Sequence, residues 1–194
     1  MILMTPLHIK KIVPNDWDQW WTLWNQYAGV VQKTYNNHNN QIGVWKGLDL
    51  VTKVNIKLIY TAPHAPNHPV IDDLVSQVNK LIPLLLFKIR VIENLYEVPY
   101  HSDHNYPKDE LRCFLWNDYD YPVWSFKYND TIRKLNMPED SNTFYYKDFP
   151  LQHSSIYEPN KGKGIMLIYG LLKKEFSELL SKSIDHYKNH AWVI

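Results

Sequence analysis

A histidine and an aspartate two positions apart, in Pro99-Tyr100-His101-Ser102-Asp103, together with a lone His153 far downstream, constrain this chain more than any other feature. On a β-strand, side chains at i and i+2 share a face. His101 and Asp103 can therefore reach one metal ion while Ser102 turns away. A third ligand must then arrive from a different strand. Two imidazoles and one carboxylate make the 2-His-1-carboxylate facial triad. It holds Fe(II) through one face of an octahedron and leaves three positions open.

His-x-Asp alone is a short pattern, and its surroundings give it weight. Pro99 suits a strand start or a sheet edge. Residues 87–92 before it and 110–116 after it read as strands, and His153 lies in a short apolar run, 149–157. A turn follows at 158–164, then a strand at 165–170. His104 neighbours Asp103 and would face away from the metal, since successive strand residues alternate.

These residues resemble the Fe(II)- and 2-oxoglutarate-dependent dioxygenases. Within them the pattern is most similar to the aspartyl/asparaginyl β-hydroxylase-like group, which includes free-proline hydroxylases. That group shows a metal histidine, then Leu-Arg on the next strand, then a Trp-x-Phe strand, then His-Ser with a basic residue beyond it. Here these are His101, Leu111-Arg112, Trp124-Ser125-Phe126, and His153-Ser154 with Lys163. The resemblance spans residues 87–170. It departs from the group in having Lys163 where arginine is usual, and in offering Asp103 where some members lack the acidic ligand.

The resemblance implies three ligands to Fe(II), namely His101, Asp103 and His153. It implies 2-oxoglutarate as cosubstrate, O2 as oxidant and hydroxylation of a C–H bond. The substrate would be an amino acid or an amino-acid side chain in a peptide or protein. A carboxylate at Asp103 argues against a halogenase. Lys163 would hold the distal carboxylate of 2-oxoglutarate, with Lys161 as competitor and Gly164 permitting close backbone approach. A carboxylate in a partly dry pocket needs such a cation. Arg112 would line the same pocket or form an ion pair with Glu110 or Asp118, and Ser154 and Tyr145 are candidate hydrogen-bond donors there. Two other readings remain open: a cupin-like metal protein that does not use 2-oxoglutarate, and a non-catalytic, aromatic-rich β-sandwich that binds carbohydrate or protein.

Composition sets outer bounds. A length of 194 residues suits one domain with a sizeable core. The net charge of +1 gives no electrostatic case for nucleic acid or an anionic membrane. The 8 Trp and 14 Tyr are spread along the chain and so read as jelly-roll core before they read as a stacking surface. The single cysteine, Cys113, excludes an intrachain disulfide, fits a reducing compartment and reads as a buried thiol. The N-terminal run is short and interrupted by Pro6, unlike a signal segment. A cytoplasmic protein is expected, acting on a small molecule or peptide.

The expected fold is mainly β with flanking helices: a double-stranded β-helix (jelly roll, cupin-like) in one domain, 1–194. Residues 1–83 would be helical support, 84–170 the β core with about seven strands, and 171–194 a closing helix. Trp17, Trp20, Trp21 and Trp24 recur at helical spacing behind Asn15-Asp16, giving a capped amphipathic helix. A second helix is expected over 71–81, with Asp72 and Asp73 in its first turn, and a third over 173–187. Residues 36–41 read as a polar loop, 54–60 as a strand, and 61–69 as a Pro-rich connector. The prolines there forbid the helix that His64 and His68 would need to act as a metal pair.

Overall fold

The computed structural model describes residues 1–35, 41–52, 62–95, 98–102, 109–114, 123–147, 151–156 and 164–194. Asp103, His104, Asp118, Lys161 and Lys163 lie outside these residues. So do the expected strand at 54–60 and most of the expected loop at 36–41.

Helix α1 (Trp17–Tyr27) begins where the sequence predicts. The Asp16 carboxylate accepts from the Gln19 backbone N–H at 3.0 Å and from the Gln19 side-chain amide at 2.9 Å. The backbone bond is an N-cap that satisfies one of the first turn's free N–H groups. Trp20 and Trp24 are buried, with ring centroids 6.2 Å apart. Helix α2 (Pro69–Leu81) places Pro69 in its first turn and buries Val70, Ile71, Leu74 and Val78. His68 caps it, its Nδ1 accepting from Val70 N–H at 3.2 Å. Helix α3 (Phe176–His186) buries Phe176 and Ser183.

The strands form two antiparallel sheets. The larger has the order β12 (Trp192–Val193), β1 (Ile2–Pro6), β9 (Thr143–Lys147), β6 (Asp109–Phe114), β11 (Ile165–Leu172), β4 (Leu84–Asn94), β3 (Gln41–Thr52) and β2 (Gly29–Tyr35). The smaller has the order β5 (Val98–His101), β10 (Gln152–Ile156), β7 (Val123–Tyr128) and β8 (Thr131–Lys134). From β4 to β11 the chain passes repeatedly between sheets, so β4, β6, β9 and β11 sit in one and β5, β7, β8 and β10 in the other.

Period-two alternation sorts the large sheet's side chains into two layers. Tyr145, Ile168 and Ile89 share a register row through Leu111 and join the cluster packed under the helices. One residue along, Phe144 and Leu167 share a row through Arg112 and join the cluster with Trp124 and Phe126 of the small sheet. The result is helices, large sheet and small sheet, stacked in that order.

The sequence reading of residues 1–83 as helical support needs correction, because β1, β2 and β3 extend the large sheet at both ends. Leu3, Met4, Thr5 and Pro6 are all buried, so β1 shows no polar alternation and reads as a featureless apolar run. Among the described residues eight strands lie between 84 and 172, where the sequence suggests about seven. The extra one, β8, is exposed at all four positions and carries no hydrophobic signal. It follows a tight turn in which Asn129 adopts a positive φ of 51°. No helix among the described residues is long and apolar enough to cross a membrane.

Candidate metal centre

Strands β5 and β10 pair with His101 directly opposite His153. The two imidazole centroids lie 4.2 Å apart with planes inclined by 53°. Pro99 sits on β5, the edge of the small sheet, where a missing N–H breaks no ladder. Its carbonyl lies 2.7 Å from His101 Nδ1. A carbonyl oxygen only accepts, so Nδ1 is the donor in this contact. This fixing of a histidine by a backbone carbonyl is the usual orientation of a metal ligand.

His153 is buried. The Trp124 ring stacks on it at 5.5 Å and 11°, and Tyr146 meets it edge-on at 5.4 Å. Trp124 and Phe126 project inward from β7, whereas Ser125 between them bonds the Tyr100 hydroxyl at 2.8 Å. The aromatic wall thus encloses one histidine, while His101 is half-buried at the sheet edge.

The two histidines predicted from sequence are therefore brought together. Asp103 and Lys163 lie outside the described residues. Arg112 is described by its backbone, in register with Leu167 and Phe144. Ser154 is buried on the next position of β10, and its hydroxyl donates to the Val98 carbonyl at 2.9 Å. Ser102 ties the end of β5 down by donating to the Leu151 carbonyl at 3.1 Å. Tyr145 requires a correction: it faces the helices, 5.7 Å from the Phe176 ring, and Tyr146 is the tyrosine that reaches His153. A one-residue shift in register exchanges the two faces of a strand, and three consecutive aromatics, Phe144-Tyr145-Tyr146, give no alternation to set it. His64 and His68 form no pair. His68 caps α2, and His64 forms a backbone bridge with Asp49.

Two imidazoles facing each other across β5 and β10 suit a divalent iron that prefers mixed N/O ligands and open positions. Among the described residues no three His, Cys, Asp or Glu side chains converge.

No protein-family model and no curated protein matches this chain. Solved structures similar to it include an oxidoreductase of the 2OG-Fe(II) oxygenase family from Burkholderia pseudomallei. It is 8% identical with a TM-score of 0.48, over 79% of this chain and 78% of that one. A prolyl-4-hydroxylase from Pseudomonas putida is 12% identical with a TM-score of 0.32, over 53% of this chain and 61% of that one.

Proposed function

We propose that this protein is an Fe(II)- and 2-oxoglutarate-dependent oxygenase of the aspartyl/asparaginyl β-hydroxylase-like kind. It hydroxylates a C–H bond of an amino acid or of an amino-acid side chain in a peptide. The observation that carries the reading is the facing pair His101–His153, with His101 oriented by the Pro99 carbonyl. The strand orders β4–β11–β6–β9 and β5–β10–β7–β8 support a double-stranded β-helix, in which each core strand's successor lies in the facing sheet or beside it. The whole chain is taken as one domain.

In this proposal His101 Nε2, His153 and Asp103 hold the iron. When bound, the metal supplies the oxygen chemistry that couples decarboxylation of 2-oxoglutarate to hydroxylation. The chain supplies the rest. Trp124 and Tyr146 keep water from the His153 side. Lys163 neutralises the distal carboxylate of 2-oxoglutarate. Arg112, whose backbone is in register with Leu167 and Phe144, would line the same pocket. Ser154, bonded to the Val98 carbonyl, locks β10 to β5 and so holds the two histidines in register.

The test is succinate release in the presence of Fe(II), 2-oxoglutarate and O2, screened over amino acids and short peptides. Release stimulated by one substrate class and lost in His153→Ala is expected. Iron binding without any succinate would favour the cupin-like alternative, and equal release in His153→Ala would reject the site.

A further inference from the structure

Strand β5 carries His101 at the edge of the small sheet, paired along one side with β10. That pairing is irregular. His101 stands opposite His153 and Val98 opposite Ser155, so three steps along β5 match two along β10. One extra residue is accommodated between the two pairs, which is a β-bulge. The bulge explains the faces. Val98 packs against Trp45 and Ile92 of the large sheet, while His101 meets the buried His153. Residues three apart on a regular strand would point to opposite sides.

The same bulge weakens the hold on His101. An extra residue disrupts the ladder locally, and Pro99, which falls within it, has no N–H to donate. A four-residue edge strand interrupted in this way fixes its side chains weakly through the backbone.

Tyr100 supplies what the ladder lacks. Its hydroxyl bonds the Ser125 hydroxyl at 2.8 Å. Ser125 belongs to β7, and β10 lies between β7 and β5. Neighbouring strands are about 4.8 Å apart, so the Tyr100 side chain reaches across a whole strand. It does so on the face away from the metal centre, because Ser125 alternates with Trp124 and Phe126, which project between the sheets. The β10 residue in that row is Ser154, the register partner of Ser125. Ser154 and Ser125 are 4% and 7% exposed. A side chain as small as Ser154 leaves room for a ring to pass, and its own hydroxyl is taken by the Val98 carbonyl at 2.9 Å.

We propose that Tyr100 is a positioning residue for His101. Through Ser125 it straps the bulged edge strand across β10 to β7, and this holds the His101 imidazole in its place opposite His153. The inference rests on the metal-centre reading and adds to it a residue on the other face of the sheet. Tyr100 acts on the iron through the strand it ties down.

The test measures Fe(II) affinity of the full-length protein by anaerobic calorimetry. Wild type, Tyr100→Phe, Ser125→Ala and the double variant are compared. Tyr100→Phe keeps the ring and removes the bond. Each single variant should bind iron about two- to tenfold more weakly, the span that one ordinary hydrogen bond covers. The double variant should be no weaker than the singles, since all three lack the same bond. Asp16→Ala is the control for a change in stability alone. It removes a hydrogen bond at the start of α1, and its iron affinity should equal that of the wild type. A loss in Tyr100→Phe no larger than in Asp16→Ala overturns the strap. Additive losses in the double variant overturn it too, because the two hydroxyls would then act separately. Should Ser125→Ala not fold, Tyr100→Phe against Asp16→Ala decides. A wild type that binds no Fe(II) overturns the metal centre and the strap together. Wild-type binding with unchanged affinity in Tyr100→Phe overturns the strap alone.

Discussion

His101 and Pro99 form the smallest unit of the candidate site. The Pro99 carbonyl lies against Nδ1, and in the proposed site that bond would leave Nε2 as the nitrogen turned to the iron. His101→Ala and His153→Ala should each reduce Fe(II) affinity by at least about tenfold, the scale on which even outer-shell partners act. Iron content after anaerobic loading and desalting checks this, and the folded far-UV spectrum should persist. A second residue-scale prediction concerns Tyr187, at the end of α3. Its phenol pKa is raised to about 12, first by burial and then by the Asp140 carboxylate. The unfolded phenol ionises near 10. The folded state therefore holds its proton more tightly, and the resulting stability is complete below about pH 10. It falls as pH rises from 10 towards 12. Urea midpoints across that window should decline less steeply in Tyr187→Phe than in the wild type.

At the scale of elements, caps and bulges decide where strands and helices stop. Asp16 satisfies the first turn of α1, so Asp16→Ala should cost about 1 kcal/mol in urea unfolding. Gly170 lies at the β11–β4 bulge. A Cβ there would come within 2.4 Å of Leu84 Cδ1 and 2.5 Å of the Leu85 carbonyl oxygen. Gly170→Ala should lower stability by about 1–3 kcal/mol through overpacking against backbone, measurable as a reduced urea midpoint. The helices were legible in sequence because each carries a local signature: the Asp16 cap with four spaced tryptophans, or Pro69 ahead of an apolar stripe. Strands β1 to β3 were not, because their partners lie far away in sequence. Trp45 and Leu48 acquire their faces only when β3 meets β4. The same cause hid the difference between Tyr145 and Tyr146, which depends on register with β6 and β1.

Across the whole molecule, the topology converts distant residues into neighbours. The chain ends meet, with β1 and β12 paired and the Met1 amino group bonded to the Ile194 carbonyl. The chain returns to the small sheet so that β10 lies between β5 and β7, and this sets His153 opposite His101. The histidine pair was legible as a motif, since ligand chemistry restricts residue types. The buried cluster of Asp49, Lys88 and Arg90, in which both cations bond the Asp49 carboxylate, was not. Lysine, arginine and aspartate on separate strands give no spacing pattern before β3 and β4 align. The buried Arg90–Asp49 pair survives removal of Lys88. Lys88→Met should therefore change stability by less than about 1 kcal/mol or increase it, as replacement of a buried charge by a fitting apolar chain often does. Chemical denaturation at neutral pH checks that.

The central claim is that His101 and His153, with Asp103, hold one Fe(II) to which 2-oxoglutarate then binds. Anaerobic titration of the full-length protein with Fe(II), then with 2-oxoglutarate, followed by visible absorption, tests it most directly. The account predicts a charge-transfer band that needs both additions, saturates at one iron per chain and is absent in His153→Ala. No band in the wild type, or an equal band in His153→Ala, would contradict it.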